Sequence, residues 1–401
     1  MSQPSQQLRH PAILALGTAV PPYSASQEVI GEWMAASFVG QPAVRRLIRS
    51  LYAYSGIETR YGCTTEYLEP PETSRFAPAR PLDESPTTAE RLAIYEREAP
   101  GLGSDAAYAA LTSYATASKT SMDTLLSSIT HLIVVSCTGF FAPGLDFMIA
   151  SKLGLAPSTS RTVIGFMGCS AAFNALRMAS QIVDGNTHAR VLVVSVEICS
   201  PHIQPGTRRD DLVSASLFAD GSAAALVGMP TASDHDYFVL ESLLTDMKPD
   251  TSDEMVWRIG DHGFTLRLSP HIPDHLADVV PTALSRLTGS RTPDFWAIHP
   301  GGRAIVDGLQ QILALDDSLV AISRRILCDF GNMSSATILF VLAAHARSLA
   351  HKGRPATGVA MAFGPGLTVE MALLSYVPSN THIADENAAH NVALIASGTN
   401  R

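Results

Sequence analysis

At 401 residues the chain exceeds a typical single domain and can bury a large interior. Hydrophobic residues make up 46% and charged residues 16%, a compact globular composition that excludes a largely disordered chain. The formal net charge of −9 leaves no face-wide Lys/Arg excess to neutralise phosphates, which argues against a nucleic-acid binder.

The N-terminal residues are polar and lack an apolar core of signal-peptide length, and no apolar run reaches about 18 residues. Neither export nor contact with a membrane interior is expected. Arg45, Arg46 and Arg49 cluster locally and are candidates for holding a phosphorylated small molecule, although a solvated helix face explains them equally well. The Pro-rich, polar stretch from Glu69 to Thr88 reads as a surface loop. An apolar strand, His131 to Ser136, then runs into Cys137, Thr138 and Gly139, followed by a helical pattern from Gly144 to Leu153. Next comes Gly168-Cys169-Ser170-Ala171-Ala172, opening a helix through Leu176 and Met178, and then a buried-strand pattern from Arg190 to Ser195.

The second half repeats this order. Phe295 to Ile298 runs into His299-Pro300-Gly301-Gly302 and a helical pattern from Ala304 to Ile312. Met333-Ser334-Ser335-Ala336 opens a helix through Leu342, and Gly358 to Phe363 is again a buried strand. The three matched pairs lie roughly 160 to 170 positions apart, so the chain reads as two similar α/β halves. Each half is expected to hold a mixed sheet flanked by helices, with the equivalent helices packed centrally. A boundary near Pro230 to Asp236 separates residues 1–230, carrying Cys169, from residues 231–401, carrying His299 and Asn332. Little regular structure is expected from Pro378 onward.

Five cysteines (Cys63, Cys137, Cys169, Cys199, Cys328) with no CxxC pair suggest neither a disulfide framework nor a zinc site, and fit a reducing, cytoplasmic setting. A free cysteine is ordinarily a small buried hydrophobe. Cys169, however, opens a helix, where the dipole favours thiolate over thiol. In a duplicated fold, matching loops of the halves meet at the pseudo-twofold axis, which brings His299 and Asn332 toward Cys169. Asn332, in Gly331-Asn332-Met333-Ser334, also suits a plain N-cap. Together, the imidazole can stabilise a thiolate, and two neutral N–H donors can converge on a carbonyl oxygen that gains charge. Such a set suits acyl transfer to sulfur followed by enolate formation.

Over roughly residues 10–377 the sequence resembles the chalcone-synthase-like family, the type III polyketide synthases among the thiolase-fold condensing enzymes. The resemblance rests on Gly168-Cys169, Leu217-Phe218-Ala219-Asp220-Gly221-Ser222, Ile298-His299-Pro300-Gly301-Gly302, Gly331-Asn332-Met333-Ser334 and Phe363-Gly364-Pro365-Gly366-Leu367-Thr368. It implies a homodimer of α/β subunits with five αβαβα layers, and no metal or bound organic cofactor. It also implies an acyl-CoA starter on Cys169, extended with malonyl-CoA, whose thioester carbonyl His299 and Asn332 would hold during loss of CO2. Phe218 would then disfavour the malonyl carboxylate.

By the same resemblance Cys137, Thr138, Ser334, Pro365 and Gly366 belong to the substrate pocket. Gly302 and Ala304 would meet the pantetheine arm through the backbone. The family's phosphate-binding lysines are not matched, and Arg45, Arg46 and Arg49 are the candidates to replace them. Leu266 stands where plant members often have an aromatic gatekeeper, Ala142 where they have a methionine crossing the dimer, and Trp257 where they have a glycine. Cys199 and His202 lie on a neighbouring segment. This pattern is similar to bacterial members that turn long fatty acyl starters into alkylpyrones or alkylresorcinols. The alternatives are a priming ketosynthase fed by an acyl carrier protein, a papain-like cysteine hydrolase, and a non-catalytic thioester-binding relic.

Overall fold

The computed structural model of the chain describes residues 10–379 apart from Ser233 and His235. The tail expected to be irregular therefore lies, beyond Ser379, outside the described residues. Strands of the first half are Ala12–Ala19 (β1), Tyr23–Ser26 (β2), Thr59–Gly62 (β3), His131–Ser136 (β4), Ser160–Gly165 (β5), Arg190–Glu197 (β6) and Gly221–Gly228 (β7). Those of the second are Tyr237–Met247 (β8), Met255–Gly260 (β9), Gly263–Leu268 (β10), Phe295–Ile298 (β11), Ala356–Gly364 (β12) and Thr368–Val377 (β13).

Nine strands form one mixed sheet in the order β11-β12-β13-β8-β1-β7-β6-β4-β5. The Val, Ile, Leu and Ala runs of its inner strands β4, β6, β7, β12 and β13 are buried on both faces, as strands covered by helices on either side require, whereas the edge strand β5 is largely exposed. A separate sheet in each half was expected. The difference arises at β1, which uses both of its hydrogen-bonding edges: Ala12 is opposite Gly228 on β7 and Val239 on β8.

The helices Ala171–Gly185 and Thr337–Lys352 lie at the centre, each against strands of both halves, and share one core with Val191, Val193, Ala360 and Ala372. A second core puts the helix Thr88–Ser118 and its neighbours on the outer face of the first-half strands, and a third puts the helices Ile272–Thr288 and Arg303–Ile312 outside the second-half strands. The result is the five-layered αβαβα fold, with the matched helices in the middle layer.

The 31-residue helix Thr88–Ser118 ends the polar loop abruptly because Thr87 and Glu90 form a reciprocal capping box. Loss of such a cap costs about 1 kcal/mol. A two-stranded hairpin, β9 with β10, stands apart from the main sheet and pairs Trp257 with Leu266. Among the described residues no helix is long and apolar enough to cross a membrane.

Candidate active site

After β5 the chain turns through Phe166 at φ 58° and Gly168 at φ 72°, both left-handed, into a tight turn, Gly168–Ser170, that leads into the central helix. A Cβ at residue 168 would overlap the Pro365 ring, so glycine is required and the loop after β12 abuts the nucleophile turn. Cys169 keeps part of its surface open and lines an apolar cavity.

His299 follows β11, and its backbone N–H donates to Met361 at 2.8 Å, extending the pairing with β12. Its side chain is buried in the cavity wall, and neither ring nitrogen has a hydrogen-bond partner. Asn332 sits between Gly331 and the turn Ser334–Ala336. Its Oδ1 accepts from the Ser334 N–H at 2.8 Å, the role of an N-cap, while its Nδ2 donates to the Gly301 carbonyl at 3.0 Å. Its backbone bridges the segment that carries Phe218: the Asn332 N–H donates to Leu217 O, and the Ala219 N–H to Asn332 O, both at 2.9 Å. The three residues meet as the duplication implied.

The electrostatics of the site depart from the sequence expectation. Burial pushes the Cys169 thiol up to about 12, outweighing hydrogen bonds from Ser334 and Asn332 that favour the thiolate. Burial also pulls His299 down to about 3. Desolvation is the largest cause in both cases, and it favours the uncharged form of each group over the thiolate that the helix start was expected to favour.

Near Cys169 lies a polar network built on Glu197, a residue that the sequence did not single out. The Ser334 hydroxyl is 3.6 Å from Cys169 Sγ and 3.2 Å from Cys137 Sγ. Cys137 Sγ is 3.3 Å from Glu197 Oε1, and the same carboxylate accepts the Cys137 N–H at 3.0 Å, the Thr138 hydroxyl at 2.8 Å and the Ser335 hydroxyl. Burial raises the Glu197 pKa, and these donated hydrogen bonds oppose the rise. An acid ending the otherwise apolar run Val191–Val196 is the sequence signal that could have found it.

The cavity has a volume of about 260 Å³. Cys137, Thr138, Cys199, Phe218, Trp257, Leu266, Ser334 and Pro365 line it as expected, and Gly302 and Ala304 lie along it at the start of the helix Arg303–Ile312. Trp257 is fixed by its indole N–H, which donates to Cys137 O at 2.8 Å. With Cys199, Phe218 and Leu266 it separates this cavity from a smaller one lined by Tyr67, His202, Ile203, Asp211 and Phe264.

Six expected pocket residues lie elsewhere. His202 stacks on Phe264 with ring centroids 4.2 Å apart, and its ring nitrogens engage Thr138 O and the Phe264 N–H, so it walls the smaller cavity. Burial pulls its pKa down to about 4. Gly366 is left-handed at the turn between β12 and β13, donating to Met255 O, and Ala142 is exposed on the surface near Phe140. Arg45, Arg46 and Arg49 belong to the helix Pro42–Ala53 and do not line the cavity. Arg49 is instead held by Glu32 in a two-pronged ion pair at 2.6 and 2.8 Å. The arginine that does line the cavity is the exposed Arg209, with Pro270 and Pro273.

Among the described residues no group of three or more His, Cys, Asp or Glu is placed to hold a metal ion. A duplicated αβαβα subunit with a thiol turn from one half facing histidine and asparagine from the other defines a thiolase-like condensing enzyme. Residues 2–231 match the chalcone and stilbene synthase N-terminal domain, and residues 240–378 the C-terminal domain. The chain belongs to this family, the type III polyketide synthases, which are acyltransferase-type condensing enzymes using acyl-CoA and malonyl-CoA.

It is 33% identical over 376 residues to type III polyketide synthase 21 of Oryza sativa subsp. japonica, covering 90% of this chain and 92% of the relative. It is 32% identical over 373 residues to the alpha-pyrone synthesis polyketide synthase-like Pks18 of Mycobacterium tuberculosis, with 91% of each covered. Among solved structures, PKS-I of the brown alga Ectocarpus siliculosus superposes with a TM-score of 0.82 at 28% identity, covering 93% of this chain and all of that one. The type III domain of Steely1, a type I/III hybrid from Dictyostelium, also gives 0.82, at 25% identity over 92% of this chain and 99% of that one. Membership covering both halves displaces the hydrolase and carrier-fed ketosynthase alternatives.

Proposed function

We propose that this enzyme loads an aliphatic acyl group from coenzyme A onto Cys169, extends it iteratively with malonyl-CoA, and releases alkylpyrone or alkylresorcinol products. The observation that carries the reading is the convergence of Cys169, His299 and Asn332 on one apolar cavity. In loading, Sγ attacks the starter thioester, its proton passes to the neutral imidazole, and the coenzyme A thiolate leaves and is protonated in turn. In extension, N–H donors of His299 and Asn332 face the malonyl thioester oxygen. The C–C bond to the carboxylate breaks, CO2 departs, and its electron pair becomes the enolate stabilised by those donors. The enolate carbon attacks the Cys169 thioester, and the cysteine thiolate is released as leaving group. Phe218 supplies an apolar face against the carboxylate, and the backbone at Gly302 and Ala304 lies along the path for pantetheine. No metal or bound organic cofactor takes part in these steps.

The aliphatic starter is supported by the lining of Val213, Leu217, Leu266, Leu268 and Ile305. The relative whose name specifies alpha-pyrone synthesis favours the pyrone outcome. At ~30 Å³ per water-sized group, 260 Å³ holds on the order of nine such groups, less than a long fatty acyl chain plus its extensions. Loss of the Trp257 side chain would enlarge this space toward the smaller cavity behind it.

The test is mass spectrometry of products from malonyl-CoA with acyl-CoA starters from acetyl to stearoyl and with aromatic ones. Pyrones or resorcinols bearing the starter's alkyl chain are expected, and Trp257→Gly, which joins the two cavities, should shift the preference to longer chains. Turnover confined to aromatic starters would overturn the aliphatic assignment. An unchanged length preference in the glycine variant would overturn the role of Trp257.

We further propose that two subunits pair. Edge strand β5 exposes Val163, and the segments flanking it, which include Ala142, expose Phe140, Phe147, Met148 and Met167. Light scattering of the purified protein should give the dimer mass; a monomer at micromolar concentration would remove this proposal.

A further inference from the structure

Arg60, on β3, is 4% exposed and forms no ion pair among the described residues. Its guanidinium is instead directed at main-chain oxygens. Nη1 donates to Ala215 O at 2.7 Å and to Phe218 O at 2.8 Å, and Cζ lies 5.3 Å over the Tyr52 ring, whose hydroxyl donates to Ala215 O at 2.9 Å. Ala215 lies in the last turns of the helix Arg209–Leu217, and Phe218 is its C-cap. A cation there complements the carbonyl end of the helix.

The stem of the same side chain runs across Gly331. A Cβ on that residue, which has φ 71°, would come within 3.0 Å of Arg60 Cγ and 3.2 Å of Cδ. Arg60 thus touches both segments of the bridge joining Phe218 to Asn332: the carbonyl of one, and the residue preceding the other. It contacts neither Cys169 nor the cavity.

We propose that Arg60 is a positioning residue for the malonyl step, fixing the Asn332 donor relative to the Phe218 ring. This inference rests on the roles given to Asn332 and Phe218 above. Because the nucleophile turn belongs to a different element, removal of the guanidinium separates decarboxylation from loading.

The experiment compares Arg60→Met, which keeps the stem, with Arg60→Lys, which keeps a charge but whose ammonium falls one atom short of the Nη1 position and lacks the planar group over Tyr52. Asn332→Ala serves as control. In folded Arg60→Met, kcat for malonyl-CoA decarboxylation should fall about tenfold or more, as a misplaced donor predicts. KM for malonyl-CoA and the rate of Cys169 acylation should stay within about twofold of wild type. Arg60→Lys should fall in between. Wild-type decarboxylation in folded Arg60→Met overturns the proposal, as does an equal loss of loading and decarboxylation. If Arg60→Met does not fold, a wild-type kcat in Arg60→Lys overturns it. Normal decarboxylation by Asn332→Ala would instead remove the underlying role of Asn332.

Discussion

Cys169→Ala should form no acyl-enzyme and no polyketide, while retaining decarboxylation of malonyl-CoA. The substitution removes one sulfur at a cavity wall and leaves the turn Gly168–Ser170 and its contact with Pro365 intact, so the fold should persist. His299 and Asn332 come from the other half and keep their settings. Cys137, the nearby thiol, is no substitute: burial and the adjacent Glu197 carboxylate hold it well above its usual pKa, as a neutral thiol. Intact-protein mass spectrometry after exposure to acyl-CoA should show the acyl adduct in wild type only. Product formation should fall by about 10⁴ or more, the scale on which loss of a nucleophile acts. Pyrone formation at the wild-type rate would end the covalent mechanism.

His299→Gln should reverse the pattern, with partial loading and decarboxylation reduced by about 10²–10³, the usual consequence of losing a preorganised donor to a developing oxyanion. A glutamine retains an N–H but cannot take the thiol proton, so loading should slow as well. The pH dependence distinguishes the two duties. With its pKa pulled to about 3, the imidazole is neutral at ordinary pH, and decarboxylation by wild type should show no histidine limb near 6 to 7. The thiol, pushed up to about 12, is almost wholly protonated at neutral pH, so alkylation of Cys169 by iodoacetamide should accelerate with each rise in pH and not level off near neutrality. A plateau at neutral pH that disappears in His299→Gln would show a preformed thiolate–imidazolium pair and overturn the neutral resting state.

Cys169 and His299 were legible because each sits where strand gives way to helix beside glycine, and Asn332 because Gly331-Asn332 marks the start of the helix that matches the one after Cys169. The apolar runs before Cys137 and His299 are strands, and those before residues 171 and 337 lead into the paired central helices. What failed to show was partner choice. Arg45, Arg46 and Arg49 form a basic cluster in sequence, but helical periodicity carries no information on which neighbour faces them, and Glu32 claims Arg49 from a separate helix. Pro365 and Gly366 are adjacent, yet only the proline reaches the nucleophile turn, while the glycine provides the left-handed bend. Glu197 and Arg60 escaped because the role of a charge on a strand is set by partners distant in sequence: Cys137, Thr138 and Ser335 for one, the carbonyls of Ala215 and Phe218 for the other.

The seam made by β1 bears on how the chain reaches this state during synthesis. Residues 12–19 emerge first among the described strands, yet their partners on β7 and β8 come after the long helix, β4, β5 and β6 have been made. Pairing so remote in sequence is slow to form and leaves strand edges open meanwhile. In the folded chain β1 also packs closely on the helix Thr88–Ser118, where Gly17 leaves no room for a Cβ against Ala110. Within the first half β7 takes one edge of β1, and the other edge is taken only at Ala12 and Ile13 once β8 has been made, so a single strand joins the sheets of the two repeats.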